Sequence, residues 1–299
     1  ADQLALIGCG GRGSGAIGNA IEAGVGPVKL VAMADLFPAR LDISFKTLAT
    51  QFGNNVDVPP ERRFIGFDGY RSAIDCLRPG DIAVLATHAA FRATHLEYAL
   101  NKGVNVFMEK SFAADPGGIQ RILALGEEAE KKNLRIGTGL MCRHSSARKE
   151  MIERIRDGVM GEIQLMRAYR MDAGDRTGPV PASQNELHWQ IRHPYFFFWV
   201  SSGRFIDYLI HQVDECCWIK DAWPDRAQGL GGRSPNSGDC GQNLDSYAIE
   251  YTFADGTRAL VNGRFIPGCD ADFATVVHGT KCAGQFSGNV HAPVTHLYK

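Results

Sequence analysis

One stretch near the start of the chain, Gly8-Cys9-Gly10-Gly11-Arg12-Gly13, restricts the possible folds more than any other. An apolar run (residues 4–7) precedes it and a helix-forming stretch (14–23) follows, so the order is strand, glycine turn, helix. The glycines at 8, 10 and 13 have G-x-G-x-x-G spacing. Gly8 permits the tight turn, Gly10 lets backbone approach a pyrophosphate, and Gly13 lets the helix pack closely on the strand. Amides at the helix start then face the phosphate charge. A second apolar strand (28–34) ends in Asp35, about 20 residues beyond the glycines, where a ribose-hydroxyl acceptor belongs. The combination predicts a dinucleotide site built on Gly8, Gly10, Gly11, Arg12, Gly13 and Asp35. A carboxylate at Asp35 repels a 2′-phosphate, and the next cation along is Arg40, so NAD is expected over NADP.

Alternation of strand and helix continues. Helices are predicted over 41–52, 70–77, 88–103 and 115–132, and strands over 64–67, 81–87, 104–108 and 134–138. The 81–87 run is apolar throughout, which suits the centre of a parallel sheet. Such alternation means a doubly wound Rossmann sheet over 1–139. Ligands bind beyond the carboxyl ends of its strands. Thr87, His88, Glu109 and Lys110 fall at those ends and join the cofactor set, with His95 from the following helix.

From about residue 140 the texture changes. A helix is predicted over 146–158, a strand over 162–169, a polar loop over 173–186, and a glycine-rich loop over 229–243. The aromatic run Tyr195-Phe196-Phe197-Phe198-Trp199 is either core packing beneath a loop or a sugar-stacking platform. Runs 246–253 and 257–265 flank Ala254-Asp255-Gly256, a hairpin signal, and 273–278 and 282–286 read as further strands. Residues 140–299 are therefore expected to form an α+β domain with an open, mainly antiparallel sheet. One sheet face would pack on helices and the other would meet a second copy in a dimer or tetramer.

The most suggestive segment of this half is Gly203 to Trp218. At helical spacing Asp207, His211, Asp214 and Trp218 share one face, and Ile206, Ile210, Val213 and Cys217 form the neighbouring apolar stripe expected to be buried. Asp207 stands four residues before His211, within reach of its imidazole. A carboxylate there fixes the tautomer and raises proton affinity, as a general acid/base needs. A solvated acidic face with a satisfied histidine is the alternative.

The formal net charge of −1 and the lack of a Lys/Arg run argue against nucleic acid or an anionic membrane as partner. No run approaches the roughly 20 apolar residues that span a bilayer. Eight cysteines occur without a C-x-x-C pair, so they read as small buried hydrophobes in a reducing compartment. The chain opens at a strand with no targeting peptide in view, one of which could have been removed.

Taken together, the Gly8–Gly13 opening, Val31-Ala32-Met33-Ala34-Asp35, Ala86-Thr87-His88, Met108-Glu109-Lys110, Asp207…His211…Asp214 and His278-Gly279-Thr280 resemble the glucose–fructose oxidoreductase and inositol dehydrogenase (Gfo/Idh/MocA) family. Within it, the chain is similar to a bacterial branch with the same glycine-rich opening that often has an exported form. The compartment is then either cytoplasmic or, after export of the folded protein, periplasmic. The resemblance covers essentially the whole chain and implies an NAD(P)-dependent oxidoreductase acting on sugars, cyclitols or related polyols. The family's E-K-P motif stands here as Glu109-Lys110-Ser111, a departure that touches the turn aiming Lys110. Family members also usually continue with more strand and a helix past the point where this chain stops at Lys299.

The chemistry implied is hydride loss from a hydroxyl-bearing carbon with departure of the hydroxyl proton. Either His211 is the base, oriented by Asp207, with Lys110 stabilising charge on the oxygen, or Lys110 is the base. Arg143, His144, Trp189, Arg192, Tyr208 and Asp214 are the candidates for holding a polyhydroxyl substrate. Three rival functions fit less of the pattern: a redox-neutral lyase or glycosidase with tightly held NAD, a hydrolase with a metal on Asp207, His211 and Asp214, and a non-catalytic NAD sensor. No metal is expected.

Overall fold

Strand β1 (Asp2–Ile7) shows why the first half folds as it does. Successive side chains of a strand point to opposite faces, and both faces of β1 are apolar from Leu4 onward. Leu4 and Leu6 pack with Ile17, Leu41 and Leu48 on one face of the sheet. Ala5 and Ile7 pack with Ile74, Leu96 and Leu100 on the other. Each of the leucine and isoleucine side chains, fully removed from water, contributes about 1.5–3 kcal/mol.

The computed structural model describes residues 2–234, 240–288 and 295–298. The chain divides after Gly139 into two compact units. In the first, β1 is followed by α1 (Gly11–Glu22), β2 (Val28–Asp35), α2 (Pro38–Phe52), β3 (Arg63–Ile65), α3 (Gly69–Asp75), β4 (Ile82–Leu85), α4 (Ala89–Asn101), β5 (Asn105–Glu109), α5 (Pro116–Lys131) and β6 (Ile136–Gly139). All six strands run parallel in the order β3-β2-β1-β4-β5-β6. The order reverses between β1 and β4, which opens a crevice at their carboxyl ends. Helix α5 begins where the sequence predicts: Asp115 accepts the Gly118 N–H at 2.8 Å, and Pro116 occupies the first turn without losing a donor.

The second unit contains α6 (Met141–His144), α7 (Ser146–Arg156), β7 (Ile163–Asp172), α8 (Glu186–Arg192), α9 (Phe198–Ser201), a π-helical turn (Phe205–Leu209) that runs into α10 (Ile210–Lys220), and six more strands. These are β8 (Arg226–Gly232), β9 (Ser246–Thr252), β10 (Arg258–Phe265), β11 (Asp272–Gly279), β12 (Ala283–Ser287) and β13 (His296–Tyr298). They form a seven-stranded sheet in the order β13-β12-β11-β7-β10-β9-β8. The β9–β10 and β11–β12 hairpins form as expected. All neighbours are antiparallel except β7 and β10, so the sheet is mixed. Helices α7 and α10 and the π turn share a core with one sheet face through Met151, Ile152, Ile155, Leu209, Cys216 and Ile219 against Met166, Ala168, Ala259, Val261 and Val277. On the other face Leu165, Arg167, Tyr169 and Met171 of β7 are half-buried.

Several expectations are corrected. Within the 203–218 segment the buried side chains are Arg204, Leu209, His211, Gln212, Glu215, Cys216, Cys217 and Trp218, whereas Ile206, Ile210 and Val213 are only half-buried. Cys217 is buried as expected, and Trp218, grouped by spacing with Asp207, His211 and Asp214, is buried too. The π turn is one reason, because it adds a residue to the turn and rotates the helix beyond it. The other is pairing. Glu215 can face the core because Arg148 Nε donates to it at 2.9 Å, while the Arg148 Nη2 donates to Ser287 Oγ at 2.7 Å. Burial still pushes the Glu215 carboxyl up, against the opposing pull of the Thr275 hydroxyl and Arg148.

The loop expected over 229–243 begins instead as β8, a fully exposed edge strand whose glycines hide its β pairing; residues 235–239 lie outside the described residues. The aromatic run is divided, with Phe196 and Phe197 buried and Phe198 and Trp199 exposed. Of the cysteines, Cys9, Cys142, Cys216 and Cys217 are buried, Cys76, Cys269 and Cys282 half-buried, and Cys240 exposed.

Candidate active site

The glycine turn does two separate jobs. Gly8 has φ +95°, and a Cβ there would lie 2.7 Å from the backbone carbon of Ala86. A Cβ on Gly13 would lie 2.0 Å from the Gly8 carbonyl oxygen. These two glycines let β1, β4 and α1 meet. Gly10 and Gly11 are different, since a Cβ on either would meet nothing within 4 Å. They leave open space in front of the amino end of the 12-residue helix α1. Open backbone, unobstructed amides and a helix dipole suit an anionic pyrophosphate. Arg12 is exposed in the first turn of that helix.

Asp35 ends β2 beside the turn. Its carboxylate accepts the Cys9 N–H at 2.7 Å and the Phe37 N–H at 2.8 Å. Two amides fix its plane and leave lone pairs for further donors. Arg40 lies over the Phe37 ring at 5.4 Å from the centroid. The acceptor and the glycine cradle fit a dinucleotide.

At the ends of β4 and β5 the structure supplies a residue that sequence reasoning missed. Arg92, in α4, is 1% exposed. Its two terminal nitrogens donate to the Thr87 and Glu109 carbonyl oxygens. Thr87 Oγ1 also shares a hydrogen bond of 3.2 Å with His95 Nδ1. His95 is buried, with its ring 4.2 Å from that of Tyr70. Burial, helped by the Arg92 charge, lowers the His95 pKa to about 3, so the ring is neutral at neutral pH. His88 takes extended backbone and opens α4. Burial raises the Glu109 pKa, against the charges of Arg12, Arg92 and Lys110. Gly139 makes room for Glu109: a Cβ there would lie 2.7 Å from a Glu109 carboxylate oxygen. Lys110 follows at the strand end, half-buried, and its peptide bond to Ser111 is cis.

In the second unit, Asp207 lies within the π turn and His211 in the first turn of α10. His211 is buried, with its ring 6.1 Å from that of Phe273. Tyr208 sits between aromatic rings and cations. Its ring meets Phe265 edge-on at 5.2 Å and Tyr195 at 5.4 Å. Arg170 and Arg204 lie 5.1 and 5.6 Å from its centroid. Burial raises the Tyr208 pKa, with Arg204 opposing, so the phenol stays protonated and able to donate.

The other expected substrate residues divide into groups. Arg143 grips Asp214 with both sides of its fork, at 2.8 and 2.9 Å, and lies 4.8 Å from the Trp218 ring centroid. Asp214 is therefore the partner of a cation, and the Asp207/His211/Asp214 metal set is not assembled. Among the described residues no group of three or more His, Cys, Asp or Glu is placed to hold a metal. His144 ends α6, next to Arg143 in sequence. Trp189 and Arg192 are on α8, where the Trp189 ring lies tilted against His193 at 4.0 Å and Arg192 donates to Gln184 at 3.4 Å.

No protein-family profile matches the chain, and no curated protein matches it. Solved structures do. Scyllo-inositol dehydrogenase from Lactobacillus casei, solved with NAD(H) and scyllo-inositol, superposes with a TM-score of 0.72 at 22% identity, covering 96% of this chain and 76% of that one. The WlbA dehydrogenase of Chromobacterium violaceum, solved with NADH and UDP-GlcNAcA, gives 0.74 at 16% identity, covering 99% and 77%. The aldose-aldose oxidoreductase of Caulobacter crescentus, complexed with glycerol, gives 0.73 at 17% identity, covering 99% and 79%. The chain thus has the fold of the glucose–fructose oxidoreductase and inositol dehydrogenase family.

Proposed function

We propose that this protein is an NAD-dependent oxidoreductase that moves a hydride between the nicotinamide and a hydroxyl-bearing carbon of a sugar, cyclitol or related polyol. The observation that carries the reading is the division of labour at the glycine turn: Gly8 and Gly13 are locked by packing, while Gly10 and Gly11 face open space at the start of α1. The bound nicotinamide supplies the hydride acceptor. Asp35, held by the Cys9 and Phe37 amides, accepts the ribose hydroxyls and disfavours a 2′-phosphate, with Arg40 the nearest following cation. Lys110 donates to the reacting oxygen and stabilises its developing charge. His211, oriented by Asp207, takes the hydroxyl proton; Lys110 is the second candidate for that step. Tyr208, protonated between Arg170 and Arg204, donates to a substrate oxygen. The Arg143–Asp214 pair and Trp189, Arg192 and His144 are proposed to shape the substrate end. The free face of the seven-stranded sheet is proposed to join copies into a dimer or tetramer.

The similar structures named above are two dehydrogenases and an oxidoreductase, and no observation favours a redox-neutral lyase. No helix among the described residues is long and apolar enough to cross a membrane. The test is to bind NAD to the purified protein and add a panel of free and glycosidic sugars and inositols while following absorbance of reduced nicotinamide. Stoichiometric NADH formation, abolished in Lys110→Ala and His211→Ala variants that still bind NAD, is expected. Failure to bind either dinucleotide would sink the reading.

A further inference from the structure

We propose that Arg92 is a positioning residue for Lys110: its guanidinium clamps the Thr87 and Glu109 carbonyls just where the β4–β5 ladder ends, and so sets the backbone from which Lys110 projects. The inference rests on the role proposed above for Lys110.

The last residues paired between β4 and β5 are Leu85 and Met108. Beyond them the two chains part, β4 toward α4 and β5 toward Ser111, and strand pairing no longer fixes their separation. The Arg92 fork bridges this gap by donating to the carbonyl oxygens of Thr87 and Glu109. A planar guanidinium with parallel donors can span two carbonyls at once, whereas an ammonium group cannot copy that geometry. Arg92 is 1% exposed, and a buried charge is costly unless it is well hydrogen-bonded. Carbonyls two residues beyond one strand and at the end of its neighbour are a specific place to put it.

The surroundings agree. His95, one turn on, is neutral and held by Thr87. The Arg92 charge draws the Glu109 carboxyl downward together with those of Arg12 and Lys110. A Cβ on Gly10 or Gly11 would meet no atom within 4 Å, so Arg92 does not touch those positions, and its guanidinium donates to main-chain carbonyls. Its loss is therefore expected to alter Lys110 while leaving dinucleotide affinity nearly unchanged.

The experiment uses the full chain with Arg92→Met, Arg92→Lys and Arg92→Gln. Lysines are labelled competitively with acetic anhydride, and the rate at Lys110 relative to Lys29 and Lys281 is read by mass spectrometry. NAD binding by calorimetry and the thermal midpoint serve as controls of folding. In Arg92→Met the relative rate at Lys110 is expected to change by about threefold or more, the change that accompanies half a pKa unit. The other two variants, each able to donate to one carbonyl, should fall between. NAD affinity should stay within about threefold, or 0.7 kcal/mol. If Arg92→Met does not fold, Arg92→Lys and Arg92→Gln carry the test alone. An unchanged relative rate at Lys110 in any folded variant overturns the proposal, as does a loss of NAD affinity that matches or exceeds the change at Lys110. Failure of the Lys110 role itself shows separately, as sugar oxidation that survives Lys110→Ala, and leaves the labelling result standing.

Discussion

Gly10 and Gly13 belong to one motif, yet alanine at the two positions should fail in opposite ways. Gly10 has φ −73° and ψ 178°, backbone that any residue adopts, and a Cβ there would touch nothing within 4 Å. Gly10→Ala is therefore expected to leave the unliganded protein intact or to stabilise it by about 0.4–1 kcal/mol through the unfolded chain. The new methyl fills the space assigned to the pyrophosphate, and a tenfold loss of NAD affinity, about 1.4 kcal/mol, is the least expected. Gly13→Ala is the reverse case. Its Cβ would sit 2.0 Å from the Gly8 oxygen, with Leu6 Cδ1 at 3.0 Å and Ala86 Cβ at 3.2 Å. Helix α1 must move off the sheet, at about 1–3 kcal/mol for overpacking.

Urea unfolding with and without NAD separates the two effects. NAD at 100 times its parent Kd stabilises the parent by about 2.7 kcal/mol. With affinity down tenfold, the same concentration stabilises Gly10→Ala by only about 1.4 kcal/mol. Gly13→Ala should already be weaker without ligand. If Gly10→Ala keeps the full NAD-induced gain, the open space at Gly10 is not where the phosphates lie and the placement of the cofactor is wrong.

Asp35→Ala strips the acceptor from the Cys9 and Phe37 amides, so a stability loss of about 1–3 kcal/mol is expected together with a collapse of the NAD-over-NADP preference; calorimetry with both dinucleotides checks it, and an unchanged ratio counts against the ribose role. His95 has a folded pKa of about 3 against an ordinary 6.5, so the unfolded chain binds its proton first and stability falls as pH drops through that window. By pH 5 the loss from this residue is up to about 2 kcal/mol, and His95→Phe should flatten the urea midpoint between pH 7 and pH 5 relative to the parent. Arg148→Met leaves the buried Glu215 without its cation and should cost about 3–5 kcal/mol, whereas Arg148→Met with Glu215→Leu should recover much of that loss in the same unfolding assay.

The parts of the fold legible in the chain share one property: their signal is local. Alternating faces of β1, the glycine spacing, the acid closing β2 and the Ala254-Asp255-Gly256 turn each act within a few residues. The parts that were not legible depend on partners far along the chain. Arg92 within a helical stretch looks like a surface arginine until the carbonyls of residues 87 and 109 are brought beside it. Glu215 breaks an otherwise apolar stripe until Arg148, 67 residues away, meets it. Asp214 had the spacing of a ligand set and instead pairs with Arg143, 71 residues away. Strand β8 is all exposed and rich in glycine, so only its ladder with β9 defines it.

Periodicity and turn chemistry in the chain were enough to determine a doubly wound first half with a parallel sheet, an α+β second half with antiparallel hairpins, and a glycine turn at Gly8 to Gly13 beside Asp35. Tertiary structure alone decided which charged residues are interior, which face of the 203–218 segment is buried, and that β7 and β10 run parallel at the centre of the second sheet. The physical reason is the range of the forces involved. Backbone preference and hydrophobic alternation are properties of neighbouring residues. Whether a charge can be buried is set by the hydrogen-bonding groups that folding brings to it, and these come from anywhere in the chain.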